Sequence, residues 1–169
     1  MFIGVLELFK IGIGPSSSHT MGPMLAAHRF RDSLRSYCSA AGDPAGCTLR
    51  CTLKGSLAFT GRGHNTDRAV VLGLHGYLPD ALVGKDVDAL VRDLWRRPVI
   101  ELQAGCETAF CPADDIVFDR GEPLPQHPNG MIFELVDNAG VARLSMTLFS
   151  IGGGFLSTPQ EIGGLVAPL

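Results

Sequence analysis

Three short segments of this sequence carry polar residues that no helix or strand pattern requires, and glycine or proline sets each of them apart. The first is Ser16-Ser17-Ser18-His19-Thr20, which follows Gly14-Pro15 and runs into a helix start. Hydroxyls and unpaired backbone N–H groups at a helix N-terminus form a receptor for a carboxylate or phosphate, because the N–H groups and the helix dipole both favour an anion there. The same residues also read as a serine-rich cap bearing one exposed histidine. The second segment is Thr60-Gly61-Arg62-Gly63-His64-Asn65-Thr66-Asp67, again a glycine loop followed by a helix start. A histidine directly after Gly-x-Gly is presented on a tight turn with its ring free, and it titrates near neutral pH, which suits proton transfer. The Gly-Lys-Ser/Thr of a phosphate-binding P-loop is absent. The third is His127-Pro128-Asn129-Gly130, where proline and glycine freeze a polar pair just before a strand, although Asn-Gly is first of all a turn signal.

The elements that must hold these segments are mixed α and β, with no internal repeat. Residues 5–9 allow one turn of helix, and Ile11 to Ser18 form a glycine, proline and serine loop. A helix is expected from Thr20 to Ala41, with Thr20 as cap, Pro23 in the first turn and Gly42 as its stop. Its apolar stripe is Leu25 or Ala27, Phe30, Leu34 and Tyr37 or Cys38. Residues 47–54 alternate as a strand with Leu49, Cys51 and Leu53 on the dry face. Ser56 to Gly76 is helical with a break at Gly61-Arg62-Gly63, Thr66 or Asp67 capping the second half. Asp86 to Arg97 is the clearest helix: Asp86 caps it, Pro98 ends it, and Val87, Leu90, Val91, Leu94 and Trp95 form a core stripe. Val99 to Leu102 and Ile116 to Phe118 are short strands. Met131 to Val136, the turn Asp137-Asn138-Ala139-Gly140 and Val141 to Phe149 form a hairpin.

The chain has 169 residues, enough for one core, and 46% of them are apolar against 18% charged, which excludes low-complexity disorder over most of its length. Fourteen Lys and Arg against seventeen Asp and Glu leave a net charge of -3, so the basic excess that nucleic-acid phosphates need is missing. Met1 to Phe9 is apolar but carries Glu7, lacks a basic flank and is far shorter than the roughly 20 residues of a membrane span. A cytoplasmic chain with no membrane partner is expected. The five cysteines are odd in number and lack CxxC spacing, since Cys47 and Cys51 are separated by three residues and Cys106 and Cys111 by four. Reduced, structural thiols are the reading, with Cys38 and Cys51 among them and no metal held by this chain.

The segment Phe9-Lys10-Ile11-Gly12-Ile13-Gly14-Pro15-Ser16-Ser17-Ser18-His19-Thr20-Met21-Gly22-Pro23 resembles the opening of the bacterial single-chain, iron–sulfur-dependent L-serine dehydratases. Lys54-Gly55-Ser56-Leu57-Ala58 with Thr60 to Val70, His127-Pro128-Asn129-Gly130-Met131 and Ser150-Ile151-Gly152-Gly153-Gly154-Phe155 resemble the same family in the same order. The resemblance covers the family's N-terminal β domain. It implies an α+β fold, a small mixed sheet with an antiparallel hairpin covered by helices, similar to the allosteric substrate-binding domain of D-3-phosphoglycerate dehydrogenases. Residues 1–156 are expected to be that β domain, and 157–169 the start of a linker to a C-terminal α domain absent from this chain.

By the same resemblance, a [4Fe–4S] cluster held by cysteines of the α domain would assist loss of the serine hydroxyl, and pyridoxal phosphate has no part. His64 is the implied base for the Cα proton. His19 and the hydroxyls of Ser16, Ser17, Ser18 and Thr20 would orient the carboxylate and ammonium of L-serine, with His127 and Asn129 as further contacts. The α domain, in the same polypeptide or a separate subunit, is the implied partner, and a homodimer is expected. His28 and His75 are left outside the site, and Asp67 is expected as a cap rather than an orienting carboxylate. Two other readings use the same residues: a small-anion or amino-acid-binding regulatory module without catalysis, and a zinc site built from His19, His64 and His127.

Overall fold

The computed structural model describes residues 17–165 of the chain, and Ser16 and the expected helical turn at 5–9 lie outside them. The chain enters through a π-helical turn, Ser17–Met21, that runs straight into α1, Gly22–Ala41. The expected cap at Thr20 is not formed: Thr20 is buried inside the π turn, and the N-cap position is Met21, whose side chain makes no capping hydrogen bond. Pro23 sits in the first turn and Gly42, at φ 99°, ends the helix, both as its sequence dictates.

Strand β1, Thr48–Lys54, follows, then α2, Ser56–Thr60, and α3, Thr66–Leu74. Neither expected cap serves α3. Its N-cap is Asn65, held in the left-handed region at φ 59°, where asparagine is among the few side-chain-bearing residues that sit readily. Thr66 instead spends its hydroxyl on the His19 carbonyl, and Asp67 accepts from the N–H of Arg68 in the first turn. A 3-10 turn, Pro79–Leu82, leads to α4, Val87–Trp95, where Asp86 caps as expected by accepting from the Ala89 N–H.

The rest is sheet with two short helices: β2 Val99–Gln103, β3 Cys106–Ala109, α5 Pro112–Asp115, β4 Ile116–Asp119, β5 Gly130–Val136, β6 Ala142–Gly152, β7 Phe155–Ser157 and α6 Pro159–Leu165. The seven strands form one mixed sheet in the order β2-β3-β1-β5-β6-β7, with β4 sharing the β3 edge of β1. Strands β3 and β4 run parallel to β1, while β5, β6 and β7 are antiparallel neighbours. The fold is therefore α+β, with the expected hairpin as β5 and β6.

Register explains which face is dry. Leu49 pairs with Leu135 and Leu135 in turn with Leu144; Cys51, Phe133 and Met146 form the next such row, and Leu53, Met131 and Leu148 the third. Residues directly opposite in antiparallel strands share a face, so the three rows form one apolar surface. Phe30 of α1 stacks on Phe133 at 5.4 Å between ring centroids and seats the helix on that surface. Ala27, Phe30, Leu34 and Cys38 are buried along α1, whereas Leu25 and Tyr37 are half-exposed. No helix among the described residues is long and apolar enough to cross a membrane.

Candidate active site

The π turn sets the site. Its wider winding places Ser18 and His19 immediately before α1, and the hydroxyl of Thr66 in α3 pins the His19 carbonyl at 2.5 Å. Both ring nitrogens of His19 have hydroxyl partners: Nδ1 lies 2.9 Å from Ser18 Oγ and Nε2 lies 3.1 Å from Ser56 Oγ. A hydroxyl both donates and accepts, so a neutral imidazole is satisfied in either tautomer. Burial, and then the charge of the neighbouring His64, push the His19 pKa below its ordinary value, which favours that neutral form.

Ser56 reaches His19 because of two backbone features. Gly55 stands at φ 59°, and a Cβ there would lie 2.1 Å from the Pro128 carbonyl oxygen, so only glycine allows this approach. The same carbonyl accepts from the Ser56 N–H at 2.8 Å, locking the start of α2 against the 127–130 loop. The 127–130 segment, expected to give further contacts to the same site, is thus joined through Pro128 to the residue that bonds His19. His127 Nδ1 accepts from the Asn129 N–H, its ring faces Phe149 edge-on at 6.2 Å, and Asn129 Nδ2 donates to the Ser150 carbonyl.

His64 comes from the loop between α2 and α3. Its ring centroid lies 4.8 Å from that of His19, tilted by 46°. The ring is not free, as the Gly-x-Gly pattern suggested: it is half-buried, and Nδ1 is sealed from solvent with no hydrogen-bond partner.

Ser17 and Ser18 are half-buried at the mouth of the π turn, and Thr20 is fully buried beneath it. Sequence reasoning thus picked residues that the fold gathers, His19 and His64 above all, but overlooked Ser56. The signal was available as a serine directly after the glycine of Lys54-Gly55-Ser56, at a helix start. Ser150 was also overlooked: it is fully buried, and its Oγ would lie 2.0 Å from a Cβ on Gly22. No group of three or more His, Cys, Asp or Glu side chains that could hold a metal ion occurs among the described residues, so the three-histidine zinc arrangement is not formed. The described cysteines are free, with Cys38, Cys51 and Cys106 buried, Cys47 intermediate and Cys111 exposed.

Comparison with known proteins extends the geometry. The family described as serine dehydratase beta chain matches residues 4–161. The chain is 42% identical over 163 residues to an L-serine dehydratase of Streptomyces coelicolor, covering 96% of this chain and 35% of that protein. It is 38% identical over 161 residues to an L-serine dehydratase of Helicobacter pylori, covering 95% of this chain and 34% of that protein. L-serine dehydratase 2 of Escherichia coli is 36% identical over 161 residues. The chain spans about a third of the length of these relatives. With its motifs matched along almost the whole of its length, the chain belongs to the serine dehydratase beta chain family.

Proposed function

We propose that this chain is the β domain of an L-serine dehydratase, converting L-serine to pyruvate and ammonia, and that it supplies the catalytic base and the substrate-orienting groups. The observation that carries this is the 4.8 Å pair of His19 and His64, one ring saturated with hydroxyls and the other with none. In the proposed reaction a base takes the Cα proton, the Cβ–O bond breaks, and aminoacrylate tautomerises and is hydrolysed. His64 accepts the proton at Nε2, since its Nδ1 is sealed. A neutral His19 beside it lowers the cost of the imidazolium that forms, because two charged rings at that distance would repel. Ser17, Ser18 and the His19 ring orient the substrate carboxylate and ammonium, with Ser16, Thr20, His127 and Asn129 completing the set.

The described residues contain no ligand set for a [4Fe–4S] cluster. In this proposal its ligands would lie in the α domain of the longer protein, where the cluster would supply Lewis acidity for the leaving hydroxide, with no part for pyridoxal phosphate. The holoenzyme is proposed to be a cytoplasmic homodimer. Replacing His64 by Ala in the full-length enzyme tests the reading: turnover is expected to fall by about 10²- to 10⁴-fold with cluster absorbance intact. Near-normal turnover would exclude His64 as the base. His19→Ala is expected to act mainly on KM; lost turnover with an unchanged KM would exchange the two roles.

A further inference from the structure

Among the described residues Asn65 is the one non-glycine residue in the left-handed region, at φ 59°, and it stands between His64 and Thr66. The glycines before His64 do not turn the chain. Neither Gly61 nor Gly63 has a positive φ, and Gly61, at φ -58° and ψ -38°, continues the right-handed winding of α2. Gly61 is there for space: a Cβ would lie 2.1 Å from the Leu57 carbonyl oxygen. The His64 N–H still bonds the Thr60 carbonyl at 3.2 Å, as in a helix, and the reversal comes one residue later. There the Thr66 N–H donates to the Gly61 carbonyl at 2.8 Å, and inside that bond the Asn65 N–H donates to the Arg62 carbonyl at 3.3 Å. Two nested bonds closed around a left-handed residue make a Schellman motif, with His64 as the last residue before the reversal and Asn65 as the residue that stops the winding. The Asn65 side chain makes no capping hydrogen bond.

On one side of Asn65 the His64 ring lies 4.8 Å from the His19 ring. On the other, the Asn65 carbonyl accepts the first helical bond of α3, from the Ala69 N–H at 3.1 Å, and the Thr66 hydroxyl holds the His19 carbonyl. A right-handed residue 65 would carry the α2 winding onward, take Thr66 off the Gly61 and His19 carbonyls and change the direction of His64 relative to α3. We propose that Asn65 is a positioning residue for the proton transfer: its left-handed backbone, and not its amide, fixes the His64 ring against His19. The catalytic part of this role rests on the reading of His64 as the base. Asparagine suits the place because it enters the left-handed region more readily than a β-branched residue and without the looseness of glycine.

The test compares Asn65→Gly, Asn65→Ala and Asn65→Val in the full-length enzyme, by steady-state kinetics with serine and by NMR titration of the histidine rings. Tolerance of the left-handed region falls from glycine through alanine to a β-branched residue. Burial and, after it, the charge of His64 hold the His19 pKa below its ordinary value, so His19 reports on the approach of the second ring. Asn65→Gly is expected to keep kcat within about twofold and the His19 titration unchanged. Asn65→Val is expected to lower kcat by about tenfold to a hundredfold, with a smaller change in KM, and to let the His19 pKa rise as His64 moves away. Asn65→Ala is expected to fall between them, and the glycine and alanine variants decide alone should Asn65→Val fail to fold. Equal losses in the glycine and alanine variants would assign the effect to the amide and overturn the proposal. So would a His19 titration that neither the valine nor the alanine variant moves. A shifted titration with normal turnover would uphold the positioning and remove His64 as the base, so the two failures are distinct.

Discussion

Ser56 is the residue on which the histidine pair turns. Its hydroxyl lies 3.1 Å from His19 Nε2, and Ser56→Ala removes that bond. An unmade bond to a part-buried group costs about 1–3 kcal/mol, and in the proposed enzyme kcat/KM for serine is expected to fall by about tenfold, measurable by steady-state kinetics. An unchanged value would show that Ser56 does not position His19. His75 gives a prediction in pH rather than in rate. Its pKa drops on folding from 6.5 to about 4, so between those values the unfolded chain binds the extra proton. Stability is therefore complete above pH 6.5 and declines as pH falls toward 4. With part of the shift screened by solvent, the loss is about 1–3 kcal/mol. His19, also lowered, adds in the same direction, while Asp67, whose carboxyl burial raises, opposes it at the acid end. Urea midpoints at pH 7 and pH 5 in phosphate-free buffer read the slope, and His75→Gln is expected to flatten it; an unaltered slope would remove His75 as its source.

At the scale of elements, α1 and α3 cross at Gly73, where a Cβ would stand 2.3 Å from the Met24 carbonyl oxygen and 2.8 Å from the Ala27 methyl group. Alanine ordinarily gains about 1 kcal/mol over glycine inside a helix. Here the helix backbones are in contact, so Gly73→Ala is expected to destabilise the chain by about 1–3 kcal/mol, read as a lower denaturation midpoint. A stabilised variant would mean that the crossing is looser than described. The same crossing shows what a sequence can and cannot reveal. Periodicity places α1, β1, α4 and the β5–β6 hairpin, because each buries one face and the pattern of that face is written in consecutive residues. It misses β3 and β7, which are four and three residues long and too short to alternate visibly. It misplaces the caps of α1 and α3, because Thr20 is buried within the π turn and Thr66 bonds the His19 carbonyl instead of its own helix end. Glycine clusters mark where the site residues cluster, yet the contact of Ser56 with His19 spans 37 residues and no local rule predicts it.

For the molecule as a whole, two of the elements that carry site residues also carry an exposed apolar side chain. Phe59, in the helix that begins with Ser56, is 61% exposed, and Ile151, next to the buried Ser150, is 47% exposed. Isolated exposed apolar side chains are ordinary, but Phe59 stands in the short helix that carries Ser56 and Ile151 in the strand that carries Ser150. The curated relatives extend well beyond the part this chain matches, since it spans 34–35% of their length. In the proposed enzyme the remainder of the longer protein would close over the site, lower the dielectric around the histidine pair and strengthen its charge interactions. Hydrogen exchange tests this directly. In the longer protein the amides of residues 56–60 and 150–152 are expected to exchange at least about tenfold more slowly than in the isolated chain, while β1 and β5, already central in the sheet, stay unchanged. Equal rates in α2 would mean that the histidine pair stays open to water in the assembled protein, and the proton-transfer role of His64 would then have to be met without a sealed site.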